Sequence, residues 1–284
     1  MNTVEGKTPE FCIITPVDYV KYATWSSSHL TLAHLVDESE EYAAFYKTLS
    51  EAGDFVMMDN SAYELKEPYS PDKLLELGQK CGADAIVLPD YPFQPSSVTV
   101  EAAKKFIPIF KDAGVKTFFV PQSERGDIGD WINGYSWAVN NPDIDIIGMS
   151  ILGVPNALPH INYAYSRVVM TQKLIDANIF NFEKHHHYLG LNAGPALEIP
   201  SLLKMKALDT IDSSGPVWAG ITGHRYSVDT DSLQAVSKIK MPVDFHYPYS
   251  KDPDTHSRIV NNITMTLDLF EQIEDDNKSW FAEE

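Results

Sequence analysis

The sequence is short of cysteine, short of positive charge and without any long apolar run. Cys12 and Cys81 are the only cysteines in 284 residues, too few for a disulfide framework or a four-thiolate zinc site. No stretch approaches the roughly 18 consecutive apolar residues of a membrane span. The start, MNTVEGKTPEF, has neither a basic region nor an apolar one and is not expected to be a signal peptide; a reducing cytoplasm is the expected compartment, a host's cytoplasm if the chain is phage-encoded. Lys and Arg number 22 against 40 Asp and Glu, for a formal net charge of -18, which argues against a non-specific nucleic-acid coat. A local basic groove at one mouth remains compatible with that balance. No repeat at solenoid periods, no low-complexity tract and no dividing linker is found, so residues 1–284 are expected to form one domain with an acidic, solvated tail from 271 to 284.

What the chain does have is a succession of short apolar runs. They lie at Phe11 to Thr15, Leu30 to Val36, Phe55 to Met58, Ala85 to Leu88, Thr117 to Val120, Ile144 to Ile147, His187 to Leu191 and Ala207 to Ile211. Continuous runs of this length suit strands covered on both faces. Between them lie helix-like segments: Ser39 to Ala52, Pro71 to Cys81, Ser97 to Ala113, Tyr163 to Asn178 and Ala196 to Lys206. Eight strands alternating with helices predict a single (β/α)8 barrel of the TIM type.

A barrel of this kind gathers its chemistry at the C-terminal ends of the strands. Those ends read Asp59-Asn60-Ser61, Pro89-Asp90-Tyr91, Pro121-Gln122-Ser123, Gly148-Met149-Ser150, Asn192-Ala193-Gly194 and Asp212-Ser213-Ser214. Each aspartate has an ordinary reading: Asp59 as a helix cap, Asp90 as an Asx turn between prolines, Asp212 as a turn or cap before Ser-Ser-Gly. On three strands of one barrel they would nevertheless converge on a common pocket and supply a nucleophile, an acid/base and an acceptor that reads a base.

Six segments, in order, resemble the tRNA-guanine transglycosylases, zinc-containing barrels that exchange a guanine for a 7-deazaguanine. They are MMDNSAYE (57–64), LPDYPFQP (88–95), VPQSERGD (120–127), IIGMSILG (146–153), HYLGLNAGP (187–195) and LDTIDSSGP (208–216). The resemblance implies Asp212 as the nucleophile at C1', Asp59 as the group that moves the proton of the departing and arriving purine or holds its edge, and Asp90 as acceptor for N1–H and the exocyclic amine. It places Gln122 on the base carbonyl and Gly148 and Met149 in the pocket floor, with Tyr91, Phe93 or Tyr63 available to stack on the ring. A carboxylate nucleophile keeps the sugar from water by holding it as a covalent glycosyl ester until the new base attacks.

The family's zinc site uses three closely spaced cysteines and a histidine on a later helix. This chain has no cysteine beyond Cys81, and Asn261 stands where the histidine is expected. The zinc site, and any cofactor with it, is therefore expected to be lost, and with it the substructure that grips a tRNA stem-loop. That makes the chain most similar to zinc-free phage-type members that insert 7-deazaguanines, preQ0 or a close derivative, into DNA; DNA rather than tRNA is the expected polynucleotide, with a free 7-deazaguanine base as second substrate. The target base must be flipped out or single-stranded to enter a barrel. Phosphate contacts are expected from Arg225, His224 and Lys204, with Arg125 and Lys206 as further candidates. A metal-dependent barrel hydrolase is the rival reading, built on His185, His186, His187, His224, His246 and His256, but strand alternation lets at most two of the triplet face one metal. A two-aspartate glycoside hydrolase and a silent nucleic-acid-binding partner are the remaining alternatives.

Overall fold

Eight short apolar segments need cover on both faces to form one sheet, and the chain supplies it by following most of them with a helix. A computed structural model describes residues 8–65, 69–191, 195–227 and 242–279. The strands are β1 (Glu10–Ile13), β2 (Ser28–Leu32), β3 (Phe55–Asp59), β4 (Ala85–Val87), β5 (Lys116–Phe119), β6 (Ile146–Gly148), β7 (His185–Tyr188) and β8 (Thr210–Ser213). All pair in parallel, in the order β1-β8-β7-β6-β5-β4-β3-β2, and β1 also lies against β2. The result is a nearly closed (β/α)8 barrel, and each expected strand segment overlaps an observed strand.

The helices are α1 (Ala33–Glu38), α2 (Glu40–Ala52), α3 (Ala62–Leu65), α4 (Pro71–Cys81), α5 (Ser96–Asp112), α6 (Ile128–Val139), α7 (Gly153–Ala157), α8 (Ser166–Asp176), α9 (Pro195–Lys204), α10 (Gly215–Ile221) and α11 (Pro253–Ser279). The best-read ones carry their own stop signals. In α4, Ser70 accepts a hydrogen bond from the Lys73 amide, Pro71 opens the first turn, and Gly82 ends the helix in the left-handed region at φ 72°, as Ser caps, N1 prolines and C' glycines do. Two elements differ from expectation. The second half of the run Leu30 to Val36 is α1, because an apolar segment buried on all sides reads alike as strand or helix. Helix α6 was not anticipated; its buried positions Trp131, Gly134, Tyr135, Ala138 and Val139 follow helical spacing. Helix α11 runs into the acidic tail expected from Glu271, and residues 280–284 lie outside the described residues.

At the barrel's N-terminal end three aspartates repeat one device. Asp84, Asp145 and Asp209 stand immediately before β4, β6 and β8, each in an Asp-x-Ile triplet. Their Oδ2 atoms accept the backbone N–H of Val56 (2.9 Å), Thr117 (2.8 Å) and His186 (2.8 Å) on the preceding strands. An N–H at the foot of a strand would otherwise lack a partner. Burial alone would raise the Asp145 carboxyl, but hydrogen bonds from Lys111 and Thr117 outweigh it and hold it below the usual range. These aspartates serve the scaffold.

No helix among the described residues is long and apolar enough to cross a membrane.

Candidate active site at the barrel mouth

Parallel strands put every second side chain inside the barrel, and the last inward residues define its mouth. There lies a cavity of about 510 Å³, within the size range of small-ligand sites. Asp59 from the end of β3, Asp90 from the loop after β4, Gln122 from the loop after β5 and Asp212 from β8 all line it. Leu30, Leu32, Val87, Val120 and Leu189 form apolar walls, and Pro242, Val243 and Phe245 close one side. The Phe245 carbonyl accepts the Val17 amide at 2.9 Å, which ties this cover to the segment leaving β1.

Asp90 and Asp212 are both buried, and Asp59 is half-buried. Asn60 Nδ2 donates to Asp90 Oδ1 at 2.8 Å and Gln122 Nε2 to Asp90 Oδ2 at 2.6 Å. Asn60 cannot turn over, because its Oδ1 accepts the Ala62 amide while its Nδ2 also donates to the Leu88 carbonyl. Burial pushes the Asp90 carboxyl up, and the two amide donors only partly offset it. Gln122 Oε1 is buried without a hydrogen-bond partner among the described residues, an arrangement that is costly unless a ligand donor completes it. The second hydrogen of Nε2 remains for a carbonyl.

Asp212 is held by one oxygen. Its Oδ1 accepts from the Gly190 amide at 2.7 Å and lies 3.0 Å from His187 Nε2. Among the described residues no donor is found for Oδ2. Asp59, expected as a helix cap, makes an Asx turn instead: its Oδ1 accepts the Ser61 amide at 2.6 Å, with Ser61 in the left-handed region at φ 56°.

The remaining sequence candidates do not line the cavity. Gly148 lies beneath it, where an added Cβ would sit 2.8 Å from Val120 Cγ2 and 2.9 Å from Leu189 Cδ1 and Phe118 Cε2. Its missing side chain makes room for the barrel interior rather than for a ligand. Gly148→Ala is thus expected to destabilise the protein by about 1–3 kcal/mol through overpacking, seen as a lower midpoint in urea denaturation. Met149 is fully buried with its amide on the His187 carbonyl. Tyr91 lies on a separate surface depression with Ser97, Glu101 and Lys105, and Phe93 is exposed. The side chain of Tyr63 lies outside the described residues, as do residues 192–194. Among the described residues the aromatic ring on the cavity is Phe245, which meets His34 edge-on.

Of the cations, Arg225 is exposed but engaged by α11, donating to Asn261 Oδ1 at 3.1 Å and Ser257 Oγ at 2.6 Å; His224 beside it is exposed. Lys204, in the last turn of α9, lies at the foot of the barrel because α9 runs antiparallel to the strands. Arg125 is exposed at the rim, on the loop that follows β5.

The histidines separate rather than converge. His185 and His187 point into the barrel, while His186 stacks on Phe180 outside it and bonds Tyr135 at 2.9 Å. His246 pairs with Glu38 and His256 with Tyr22. Among the described residues no three His, Cys, Asp or Glu side chains stand where one metal ion could be held. The zinc of the resembled family also finds no fit: Cys12 and Cys81 are buried in β1 and α4, and Asn261 donates to the Tyr226 carbonyl at 3.0 Å.

Asn60, Gly190 and the buried pair Arg167–Glu198 behind them were missed by sequence reasoning, and His187 was considered only as a metal ligand, not as a partner of Asp212. Arg167 donates through Nε and Nη2 to Glu198 at 2.7 Å each, and to the carbonyls of Met149, Leu189 and Gly190. It thereby braces the turn whose Gly190 amide holds Asp212. The only advance signal was the alternation of the HHHY segment, which singles out His187 as inward with His185.

Models of known protein families do not match the chain, and no curated protein matches its sequence.

Proposed function

We propose that the protein is a base-exchange transglycosylase that replaces guanine with a 7-deazaguanine, preQ0 or a close derivative, in a polynucleotide, DNA rather than tRNA. The observation that carries this reading is the convergence of Asp59, Asp90, Gln122 and Asp212, from four different strand ends, on one cavity. The ordered resemblance of six segments to the transglycosylases supports it.

In this mechanism Asp212 attacks C1' through Oδ2 while Oδ1 stays on the Gly190 amide and His187. The bond to the leaving guanine breaks and the sugar is held as an aspartyl ester. Asp59 supplies the proton to the departing purine and takes one from the arriving base. Asp90 accepts from N1–H and the exocyclic amine, as carboxylates do for donor edges, and the Gln122 amide stands beside it to extend the contact. Phe245 and the leucine walls cover the ring and restrict water. Arg125 on the rim is the cation best placed for a flanking phosphate.

Incubation with labelled guanine, with DNA and tRNA in parallel reactions, tests the reading. Label entering either polymer supports it, and the preferred polymer names the substrate; no label in either overturns it.

Asp90→Asn is expected to weaken binding of the free base about 10- to 100-fold, the worth of a charge-assisted contact. The wild-type affinity should also fall as pH drops through the raised Asp90 pKa, because a protonated carboxyl no longer accepts from both donors; the variant should lack that acid limb. Stability carries the opposite sign. A carboxyl whose folded pKa is raised binds its proton more tightly when folded, so its ionisation cost is relieved on acidification. Base titrations by calorimetry across the acid range check the first statement, and denaturation curves over the same range the second.

A further inference from the structure

Three polar side chains run through a barrel interior that is otherwise largely apolar, and they end on Asp212. His187 Nε2 lies 3.0 Å from Asp212 Oδ1, His187 Nδ1 lies 2.7 Å from Thr210 Oγ1, and His185 Nε2 lies 2.7 Å from the same Thr210 oxygen. Strand geometry builds this chain: β7 alternation turns His185 and His187 inward, and the β7–β8 register sets His187 opposite Thr210. His187 is fully buried and Thr210 nearly so, while His185 lies near the Phe55 ring toward the foot of the barrel. Valine has the shape of threonine without the hydroxyl and would suit a strand core better. The hydroxyl is therefore the part of Thr210 that needs a reason.

Donor and acceptor counting gives the chain a direction. A carboxylate only accepts, so a neutral His187 carries its hydrogen on Nε2 and presents a bare Nδ1. The Thr210 hydroxyl must then donate to Nδ1. Having one hydrogen to give, it accepts from His185 Nε2–H. Every donor in the chain points toward Asp212.

We propose that Thr210 and His185 are positioning residues that lock His187 in its Nε2–H form, so that His187 and the Gly190 amide together hold Asp212 Oδ1 and leave Oδ2 as the attacking atom. The catalytic consequence rests on Asp212 being the nucleophile of the function proposed above; the tautomer itself does not. With the hydroxyl removed, Nδ1 loses its donor and the preference for Nε2–H rests on Asp212 alone, so the Nδ1–H form, in which a nitrogen lone pair faces the carboxylate, gains population. Partners that orient a metal-ligating histidine from behind change activity by about 10- to 100-fold when removed, and the same scale is expected for a histidine that orients a nucleophile.

The test is nitrogen NMR of the full chain carrying ¹⁵N-histidine, free of substrate, with His187→Gln to assign the signal. Wild type is expected to show His187 with a protonated Nε2 and a bare, hydrogen-bonded Nδ1. Thr210→Val should shift it to a mixture with protonated Nδ1, and Thr210→Ser should restore it; Thr210→Ala reads the same loss should the valine variant fold poorly. In the exchange assay Thr210→Val should lower kcat about 10- to 100-fold with the KM for free base little changed, since Asp90 is untouched. A His187 signal that is Nδ1-protonated in wild type, or unmoved in Thr210→Val and Thr210→Ala, overturns the proposal, as does full-rate exchange by Thr210→Val. If the tautomer responds as expected but wild type itself exchanges no base, the transglycosylase reading fails and the lock on His187 stands.

Discussion

Asp212→Asn is expected to abolish base exchange while leaving the fold and the free-base site intact. The asparagine carbonyl can still accept from the Gly190 amide and from His187 Nε2, the two groups that hold Oδ1. What is lost is the anionic oxygen that bonds to C1', and a neutral amide cannot form the glycosyl ester. Loss of a covalent nucleophile costs on the order of 10⁴-fold or more in turnover, so the expected rate is at the assay floor. Asp212→Ala should be equally inactive but less stable, because it leaves the buried Nε2–H of His187 without an acceptor, at about 1–3 kcal/mol, and the half-buried Gly190 N–H with it. Base binding by calorimetry, exchange of label and a denaturation curve for each variant separate the three effects. Exchange at full rate by the asparagine variant would remove Asp212 from its role and turn attention to Asp59.

Glu198→Ala is expected to be the most damaging single change to stability. Arg167 and Glu198 are both fully excluded from solvent, and removing one partner leaves a charge buried without compensation, at about 3–5 kcal/mol. Against a typical total of about 5–15 kcal/mol such a loss brings the protein close to unfolding at ordinary temperatures. Replacing both partners by apolar residues is often neutral for a buried ion pair, but not here. The Arg167 guanidinium also donates to the carbonyls of Met149, Leu189 and Gly190, and a combined Arg167→Met, Glu198→Leu variant strips those donors from three backbone groups. The double variant is thus expected to remain destabilised, and to lose exchange activity more steeply than stability, because the Gly190 turn that presents its amide to Asp212 is no longer braced. Urea denaturation of the single and double variants, with exchange assayed well below the transition, measures both parts.

Much of the scaffold was legible in the residues themselves. Apolar runs of four or five residues, separated by capped amphipathic segments such as Ser70 to Gly82, can bury themselves on both faces only as a parallel sheet wrapped in helices. That is a local property of composition and spacing. Once the barrel is accepted, a general rule about strand ends is enough to pick out Asp59, Asp90, Gln122 and Asp212, without knowledge of any contact. The roles that the resemblance implied for Gly148, Met149 and Tyr91 do not match where these residues lie, because a strand-end motif says which end of the barrel a residue occupies and not whether the side chain turns inward, outward or into the packing beneath the cavity.

What only the tertiary structure decided are the pairings across long sequence distances. Asn60 and Gln122 meet on Asp90, His187 and Gly190 of β7 and its turn meet Asp212 of β8, and Arg167 of α8 reaches three carbonyls and Glu198 of α9. The foot aspartates Asp84, Asp145 and Asp209 look in sequence like those at the mouth, yet they cap backbone amides at the other end of the strands. Such differences hang on strand register: with side chains alternating from face to face, a shift of one residue would turn His187 and Asp212 out of the barrel and His186 and Ile211 into it. Composition and periodicity constrain where strands begin and end to within a few residues, which suffices for a fold. A site needs the register, and the register is set jointly by all eight strands closing on one another.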